Sequence, residues 1–403
     1  MRAAAMPQGL PLAGVRVLAV EQYGAGPFGS MFLADQGAEV IKIENPHDGG
    51  DMARGVGPHF FAPGDSQFFH SFNRNKKSLT LDLTRAEGQE IFRKLVTTAD
   101  AVACNLRGDV HEKLGLTYDA LKDANPAIVC AHLSAYGRTG PRADWPGFDY
   151  LMQAETGWMT MTGEPDGAPA RCGLSIVDMM TGLAMSFGLL SALTAARATG
   201  QGRDIDVSLF DLALHNLCYL ATWQMATGEV PTRLPRSAHP SLVPCQLYPT
   251  ADGWIFIMCN KEKFWPILCD ELDRPEWKDD PRFVDAAARL AHRDTLNLLL
   301  DEIFRGRSTG DWLAHFDGRV PAAPIYDVEQ ALANPFVAAM EGIDSYTRPD
   351  GGSYRMVAPP VRTPGVSSPK NAAPQLGADT DDILAELGFD KAALTEFRKG
   401  GIV

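Results

Sequence analysis

Short apolar runs alternate with helical stretches over the first third of the chain, and this alternation restricts the possible folds most strongly. The runs are rich in β-branched residues and cover residues 15–20, 38–44, 77–83, 101–106 and 127–135. Stretches typical of helices, such as 85–100 and 118–125, separate them. Apolar runs without alternating polar residues belong to strands that are buried on both faces. The pattern therefore predicts an α/β fold with a parallel sheet covered by helices.

The loop after the first predicted strand has the spacing G-x-G-x-x-G, with glycines at Gly24, Gly26 and Gly29. Glu44 ends the second predicted strand, 20 residues after the first glycine. This layout is typical of Rossmann-like domains that bind dinucleotides, although a tight turn in any doubly wound sheet has similar glycines. Pro27 would begin the helix, where it removes an N–H that a pyrophosphate would use. The loop alone leaves NAD and other phosphate-bearing ligands open.

Basic residues gather in the segments beyond this loop. They are Lys42, Arg54, Arg74, Lys76 and Lys77. In a chain with a net charge of −13, such a group beside a nucleotide-sized cleft favours a ligand with more phosphate than NAD, and coenzyme A is one. A solvated charged face is the other interpretation. The same excess of acids argues against nucleic-acid binding, because a nucleic-acid binder needs a basic surface.

The seven cysteines include no C-x-x-C pair. The sequence therefore predicts neither a disulfide framework nor a zinc site, and reduced thiols are typical of a cytoplasmic protein. Residues 179–196 carry no charge and are rich in Gly, Ala, Ser and Thr. We interpret this segment as a helix buried on all sides and not as a membrane span.

Four segments of the chain resemble the family III CoA-transferases, also called the CaiB/BaiF family. They are residues 11–54, with "VRVLAVEQYGAGPFGSMFLADQGAEVIKIENP", 72–83, "FNRNKKSLTLDL", 137–211, with "GLSIVDMMTG", and 397–403, "FRKGGIV". The likeness keeps the order of the family over nearly the whole chain. It implies an interlocked homodimer, and it implies that the first loop lies against CoA and not against NAD.

The resemblance also implies a division of each subunit into two domains. Residues 1–200, completed by 340–403, would form a large Rossmann-like CoA-binding domain. Residues 226–325 would form a smaller α+β domain, with linkers at 201–225 and 326–339. We expect a hairpin around an Ala-Asp-Gly turn in the smaller domain.

By this resemblance the catalytic residue is Asp178, which lies between Gly173 and the pair Thr181 and Gly182 at the start of the apolar helix. An aspartate at a helix start is also a common N-cap. The two roles are compatible, because the helix dipole favours the ionised carboxylate that attack on a thioester requires. The family's reaction proceeds through an aspartyl–acyl anhydride and an aspartyl–CoA thioester. Acyl-CoA thioesters are then substrates, and neither a metal nor a tightly bound cofactor is expected.

Contacts with CoA follow from the resemblance, position by position. They are Gly24, Ala25, Leu81, Asp82, Asn105, Leu106 and Arg107, together with Lys113, where relatives often carry a base. Asn45 also falls on a contact position but departs from the family, because many members have an arginine directly after the strand's glutamate. Arg54 or Lys76 is expected to supply the phosphate contact that this arginine would make.

The loop "SAHPSLVPCQLYPTADGW", residues 237–254, bears on the substrate. Members that act on oxalate carry a run of glycines in a loop over the active site, and this chain has none there. The loop resembles the branch that uses succinyl-CoA or similar dicarboxylyl donors. Arg171, His239, Ser241 and Gln246 are candidates to meet a distal carboxylate. His239 followed by proline also fits a residue that only shapes the loop.

Two alternative functions are kept beside the transferase. The α-methylacyl-CoA racemases use a His/Asp pair in a G-H-D motif, which here reads Gly147-Phe148-Asp149. Phenylalanine cannot transfer a proton, and His132 is expected to be structural because it lies on a predicted strand. The second alternative is a non-catalytic module that binds CoA esters, in which Asp178 is idle. An exchange assay between a donor thioester and an acceptor acid separates these alternatives.

Overall fold

The computed structural model of the chain describes residues 9–403 and divides into two compact units. The first unit takes the described residues up to Thr156, together with Cys172–Tyr219 and Ala338–Val403. The second unit takes Gly157–Arg171 and Leu220–Val337. Three separate segments of the chain therefore build the first unit.

The strands and helices are numbered along the chain. The strands are β1 Arg16–Val20, β2 Glu39–Glu44, β3 Phe60–Ala62, β4 Asp65–Ser66, β5 Lys77–Thr80, β6 Ala101–Cys104, β7 Val129–Ser134, β8 Arg203–Ser208, β9 Cys245–Pro249, β10 Trp254–Met258, β11 Ala322–Pro324, β12 Ile343–Thr347 and β13 Ser353–Val357. The first ten helices are α1 Ala25–Asp35, α2 Gln67–Asn73, α3 Ala86–Val96, α4 Val110–Lys113, α5 Tyr118–Leu121, α6 Asp149–Glu155, α7 Trp158–Met161, α8 Ile176–Thr199, α9 Leu209–His215 and α10 Cys218–Thr227. The others are α11 Phe264–Glu271, α12 Ala286–Ala291, α13 Arg293–Phe304, α14 Thr309–Phe316, α15 Val328–Leu332, α16 Pro335–Ala339, α17 Thr380–Glu386 and α18 Lys391–Lys399. Short 3₁₀ turns cover Met52–Gly55, Pro235–Ser237 and Pro275–Lys278.

A six-stranded sheet forms the centre of the first unit, in the order β5-β2-β1-β6-β7-β8. Every pairing in it is parallel. In sequence order of its own strands this is 3-2-1-4-5-6, the order of the Rossmann fold, whose ligands bind at the carboxyl ends where the order reverses. The reversal lies between β1 and β6. The predicted α/β class with a Rossmann-like parallel sheet is confirmed.

The apolar runs of the sequence form the interior of this sheet. Leu18, Ile41, Leu79 and Val102, one from each of four neighbouring strands, have no exposed surface, and they belong to one buried cluster. Residues of α3, α17 and α18 complete that cluster. The C-terminal helices therefore cover the same face of the sheet as α3, although they lie almost 300 residues later, at Thr380–Glu386 and Lys391–Lys399.

Two predicted linkers contain regular structure, so their assignment is corrected. The segment 201–225 begins with β8, which pairs with β7 from Arg203 to Ser208 and is the edge strand of the large sheet. The segment 326–339 contains α15 and α16. At the C-terminal end, α17 and α18 are separate helices, because Gly388 takes a φ of 87°, a left-handed conformation that ends α17.

Helix α8 corresponds to the uncharged segment, and the prediction that it is buried on all sides is wrong. One face packs on α1, β7 and β8, whereas Leu183 and Phe187 on the other face are 40% and 75% exposed. By length and composition alone, α8 is apolar enough to cross a membrane, and half of its most apolar stretch is buried within the first unit.

The second unit contains a small antiparallel sheet in the order β11-β10-β9 with α11 to α14. The expected hairpin is present as β9 and β10. The hydrophobic core of the second unit contains three tryptophans, Trp265, Trp277 and Trp312, which pack with Phe283 and Phe304. This sheet with its helices is the expected smaller α+β arrangement.

Candidate active site

Two glycines allow α1 and α8 to touch backbone to backbone. A Cβ added to Gly182 would lie 2.2 Å from the carbonyl oxygen of Ala25, and one added to Gly29 would lie 2.2 Å from the carbonyl oxygen of Gly182. No side chain fits in so short a distance. This contact brings the first turn of α8 to the loop after β1. A Cβ on Gly24 in that loop would lie 3.2 Å from Asp178 Oδ2.

A cavity of about 270 Å³ opens at the carboxyl ends of β1, β6 and β7, where the strand order reverses. The position is the one expected for a ligand of a Rossmann-like sheet. Six of the predicted site residues line it, namely Gly24, Ala25, Asn105, Leu106, Arg107 and Asp178. The other lining residues were not predicted as site residues, and they include Gln22, Tyr23, Met52, Trp145 and Phe148. The last of these is the phenylalanine that replaces the racemase histidine.

Asn105 joins the two loops that form the cavity floor. Its Oδ1 accepts a hydrogen bond from the Gln22 N–H at 2.7 Å, and its Nδ2 donates to the Gln22 carbonyl at 2.8 Å. A Cβ on Gly26 would lie 2.7 Å from Asn105 Cγ, so glycine is required there. The amide of Asn105 thus continues the sheet pairing beyond Cys104, where β6 ends. Both halves of this amide are used in holding the loops.

Asp178 occupies the third position of α8 and is not its N-cap, because the N-cap position is Ser175. The backbone N–H of Asp178 donates to Asp149 Oδ2 at 3.0 Å. Gln153 Nε2 donates to the other oxygen of Asp149 at 2.6 Å. Asp149 is itself buried, so two carboxylates share a poorly solvated region.

Burial raises the pKa of Asp178 from 3.8 to about 7, and the negative charge of Asp149 adds to the effect. The expectation that the helix dipole keeps this carboxyl group fully ionised is therefore wrong in direction. A dipole contributes about 0.3 to 1 kcal/mol, whereas the raised pKa corresponds to about 4 kcal/mol. Asp178 thus titrates near neutral pH, as a residue that takes up and releases charge during a reaction is expected to do.

Four residues of the basic cluster are buried and paired with carboxylates. The pairs are Lys42 with Asp51, Arg54 with Glu44, Arg74 with Asp35 and Lys76 with Glu21, each with 2.8 Å between nitrogen and oxygen. Lys77 is 40% exposed in its side chain and pairs with Glu39 at 2.6 Å. A buried cation that already has a carboxylate partner is not presented to a phosphate. The assignment of Arg54 and Lys76 to CoA phosphates is therefore corrected to a structural one.

The pair formed by Arg54 and Glu44 is bidentate, with both nitrogen–oxygen distances at 2.8 Å. Ser78 Oγ also donates to Glu44 Oε2 at 2.6 Å. Glu44 is the acidic residue of the glycine fingerprint, which in NAD enzymes binds a ribose hydroxyl. Here its oxygens are occupied within the protein, and this removes the feature that favoured NAD.

Lys76 supports the glycine loop from below. Its Nζ donates to Glu21 Oε1 at 2.8 Å, to the Pro27 carbonyl at 2.9 Å and to Asn73 Oδ1 at 2.9 Å. Burial lowers the pKa of Lys76 to about 8, and Glu21 opposes this change. Because Pro27 lies in the first turn of α1, Lys76 links that turn to Glu21, which follows β1, and to Asn73 at the end of α2.

The remaining predicted CoA contacts do not line the cavity among the described residues. Asn45 accepts from the His47 N–H and forms a local turn, and Leu81 is buried with its N–H bonded to Glu44. Asp82 accepts from the backbone and hydroxyl of Thr84. Lys113 is exposed and pairs with Asp109. Arg107 also pairs with Asp109 but lines the cavity, so it is the predicted cation that the cavity presents.

The predicted substrate contacts Arg171, His239, Ser241 and Gln246 belong to the second unit. His239 Nδ1 accepts from the N–H groups of Ser241 at 3.1 Å and of Leu242 at 3.2 Å, which is the loop-shaping role. Gln246 is buried and accepts from Asn297 Nδ2 at 3.0 Å, so its place is in the interior and its assignment is corrected. Arg171, His239 and Ser241 stay predictions for the substrate.

Comparison with known proteins identifies the family. The sequence model of CoA-transferase family III matches residues 12–380. A succinate–glutarate CoA-transferase of Agrobacterium fabrum is 36% identical over 393 residues, which cover 94% of this chain and 96% of the relative. An acetyl-CoA:oxalate CoA-transferase of Acetobacter aceti is 36% identical over 378 residues, 92% of this chain and 94% of the relative. The crystal structure of a CaiB/BaiF family protein from Brucella suis is similar with a TM-score of 0.80 and 34% identity, over 94% of this chain and all of that one.

The match extends through both units and includes the glycine loop and Asp178. The resemblance inferred from the sequence segments is thus confirmed. The chain belongs to CoA-transferase family III and is a CoA-transferase.

Proposed function

We propose that this enzyme moves coenzyme A from a dicarboxylyl thioester, such as succinyl-CoA, to a carboxylic acid acceptor, with Asp178 as the covalent carrier. The observation that carries the proposal is the setting of Asp178. Its carboxylate adjoins the glycine loop in the cavity at the strand-order reversal, and it titrates near neutral pH. A carboxylate in that position is available to a thioester bound along the loop.

The reaction would begin with attack of an Asp178 oxygen on the thioester carbonyl carbon. The carbon–sulfur bond breaks, which gives an aspartyl–acyl anhydride and the thiolate of CoA. The thiolate then attacks Asp178 Cγ and displaces the donor as a free carboxylate, leaving an aspartyl–CoA thioester. The acceptor carboxylate reverses these two steps and leaves as its own CoA ester. Asp178 returns as a carboxylate, so atoms and charges balance over the cycle.

The electrostatics of the site favour the covalent states. Ionised Asp178 suffers the loss of solvation and the repulsion of Asp149, which together raise its pKa. Once acylated, the carboxyl group is neutral, and both penalties disappear. The site therefore raises the free energy of the free nucleophile relative to the anhydride and the thioester. Asp149 also holds the backbone N–H of Asp178, which fixes the first turn of α8 beside the loop.

The substrate class is supported by the named relatives. One acts between succinate and glutarate, and the other takes oxalate, so a dicarboxylic acid occurs in both. We extend a dicarboxylate preference to this chain. Arg171, His239 and Ser241 are the residues we propose for the distal carboxylate.

The test is a matrix of donors and acceptors with every new CoA ester identified by mass. Succinyl-CoA, acetyl-CoA and formyl-CoA serve as donors, and glutarate, oxalate, mesaconate and a set of monocarboxylates serve as acceptors. We expect transfer from succinyl-CoA to dicarboxylates, abolished in Asp178→Asn. Asp211→Asn is the matched control, because Asp211 holds the same third position at the start of α9 but is exposed.

Transfer restricted to monocarboxylates would contradict the substrate class and leave the carrier role intact. Undiminished transfer by Asp178→Asn would contradict the carrier role. Binding of CoA without any exchange would favour a non-catalytic module. Exchange of the α-hydrogen without transfer would favour a racemase.

A further inference from the structure

Three side chains that are able to bind a metal ion meet in the interior of the first unit, and the proposed reaction uses none of them. They are Cys104, His111 and His132, with relative exposures of 0%, 0% and 1%. Cys104 at the end of β6 is the register partner of His132 on β7, so both side chains leave the same face of the sheet. His111 on α4 lies within contact distance of both side chains.

The potential ligand atoms converge on one point. Cys104 Sγ lies 3.0 Å from His111 Nδ1 and 3.2 Å from His132 Nδ1. The two Nδ1 atoms are 2.9 Å apart. The thiol has one hydrogen and can donate it to one of the two Nδ1 atoms, so the other contacts need a hydrogen on a ring Nδ1.

The contacts of the Nε2 atoms show which nitrogen of each ring carries the hydrogen. His111 Nε2 lies 3.0 Å from the Leu106 carbonyl, which can only accept, so Nε2 carries the hydrogen. His132 Nε2 lies 2.8 Å from Asp204 Oδ1, and the other oxygen of this carboxylate pairs with Arg138 at 3.5 Å. Each neutral ring therefore turns the lone pair of its Nδ1 inward. The three contacts among the two Nδ1 atoms and the Cys104 sulfur then have only the thiol hydrogen between them, so the two Nδ1 lone pairs face each other without a hydrogen bond.

We propose that Cys104, His111 and His132 bind one transition-metal cation of borderline or soft character, Zn²⁺ or Cu⁺. A cation replaces the repulsion between facing lone pairs with bonds, and thiolate with imidazole is the donor set that these ions prefer. Binding releases the thiol proton to solvent. The carbonyl and the carboxylate on the outer nitrogens are partners of the kind that orient metal-bound imidazoles.

The geometry accommodates the ion after a small expansion. Metal–nitrogen bonds of about 2.0 to 2.1 Å and a metal–sulfur bond of about 2.3 Å place the donors about 3.5 Å apart. The three side chains therefore separate by about 0.5 Å on binding. No local spacing in the sequence indicates this site, since the residues stand 7 and 21 positions apart and only the strand pairing and α4 bring them together.

The place of the site indicates a structural role. Cys104 and His111 stand at the two ends of one loop, and that loop carries Asn105, Leu106 and Arg107, all of which line the cavity. A bound ion would close the loop at its base and hold these residues in position. We assign the ion no part in the transfer reaction, because none of its three ligands lines the cavity.

The proposal is tested by titrating the full chain, freed of metal by a chelator, with Zn²⁺ and separately with Cu⁺ under reducing, anaerobic conditions against a chromophoric competitor. We expect one equivalent per chain, and about 100-fold weaker binding in Cys104→Ser. Cys130→Ser is the matched control, since Cys130 is buried on β7 beside His132 but does not belong to the cluster, and it should bind like the parent. Parental affinity in Cys104→Ser overturns the proposal, because it assigns binding to other thiols.

Co²⁺ in the unmodified chain gives a readout that does not depend on how a variant folds. We expect a near-ultraviolet charge-transfer band from the cysteine thiolate to Co²⁺ and visible bands of low coordination number. If Cys104→Ser fails to fold, this spectrum decides the question. The absence of the charge-transfer band, or binding well below one equivalent for both Zn²⁺ and Cu⁺, overturns the proposal.

Discussion

Replacing Asp178 with asparagine is expected to stabilise the folded chain while it removes the proposed nucleophile. Burial and the charge of Asp149 raise the pKa of Asp178 from 3.8 to about 7 in the folded chain. Between these two pH values the folded chain keeps a proton that the unfolded chain has released, so the stability of the parent falls as pH rises. The full cost, about 4 kcal/mol, is present above about pH 7. Asparagine has no proton to lose and avoids this cost.

The measurement is the free energy of unfolding in urea, for parent and variant, from about pH 4 to about pH 8. The difference should be small near pH 4, rise with pH and level off at about 4 kcal/mol in favour of Asp178→Asn. Asp211→Asn is the control, because Asp211 is exposed and accepts the Ser208 hydroxyl at 2.7 Å. Its replacement should cost a few tenths to about 1 kcal/mol. A constant difference over this range, or a less stable Asp178→Asn at pH 8, would refute the reasoning.

Three other substitutions test further parts of the site. Asp149→Asn removes the like charge beside Asp178 and should move the pH midpoint of the acylation rate below about 7. The rate is measured by single-turnover release of CoA, and an unchanged midpoint would contradict the role of Asp149 in the pKa of Asp178. Gly182→Ala places a Cβ 2.2 Å from the Ala25 carbonyl and should lower the free energy of unfolding by about 1 to 3 kcal/mol, and unchanged stability would contradict the close packing of α1 and α8. Lys76→Met leaves a buried carboxylate without its cation and should cost about 3 to 5 kcal/mol in urea unfolding, whereas a neutral effect would return Lys76 to the ligand-binding surface.

The strands could be predicted because their signal is local. Runs such as residues 38–44 and 127–135 are apolar on both faces, and that pattern belongs to a central parallel strand. Strand β8, "RDIDVS", does not follow this pattern, since it is an edge strand whose charged residues face solvent or pair with neighbours. Its place in the large sheet depends on its pairing with β7, which the domain division implied by the resemblance does not contain. The glycine spacing was informative because other parts of the chain lie so close to each of these glycines that a larger side chain would contact them.

The charges could not be predicted because their partners are distant in sequence. Lys76 meets Glu21 across 55 positions, and nothing in either local segment indicates the pairing. The position of Asp178 came from the family resemblance. Its raised pKa depends on Asp149, 29 residues earlier, and on burial that only the packed helix creates. Composition predicts how many charges a cleft has nearby, and the fold decides which of them face the ligand.

The claim that Asp178 carries coenzyme A is tested most directly by mass spectrometry of the chain during turnover. Enzyme mixed with succinyl-CoA, quenched in acid and digested, should yield a peptide containing Asp178 with the mass of a CoA thioester, and hydroxylamine should convert it to the hydroxamate. Asp178→Asn should show no adduct. Continued transfer with no modification of Asp178, or an adduct found on a different residue, would contradict the account.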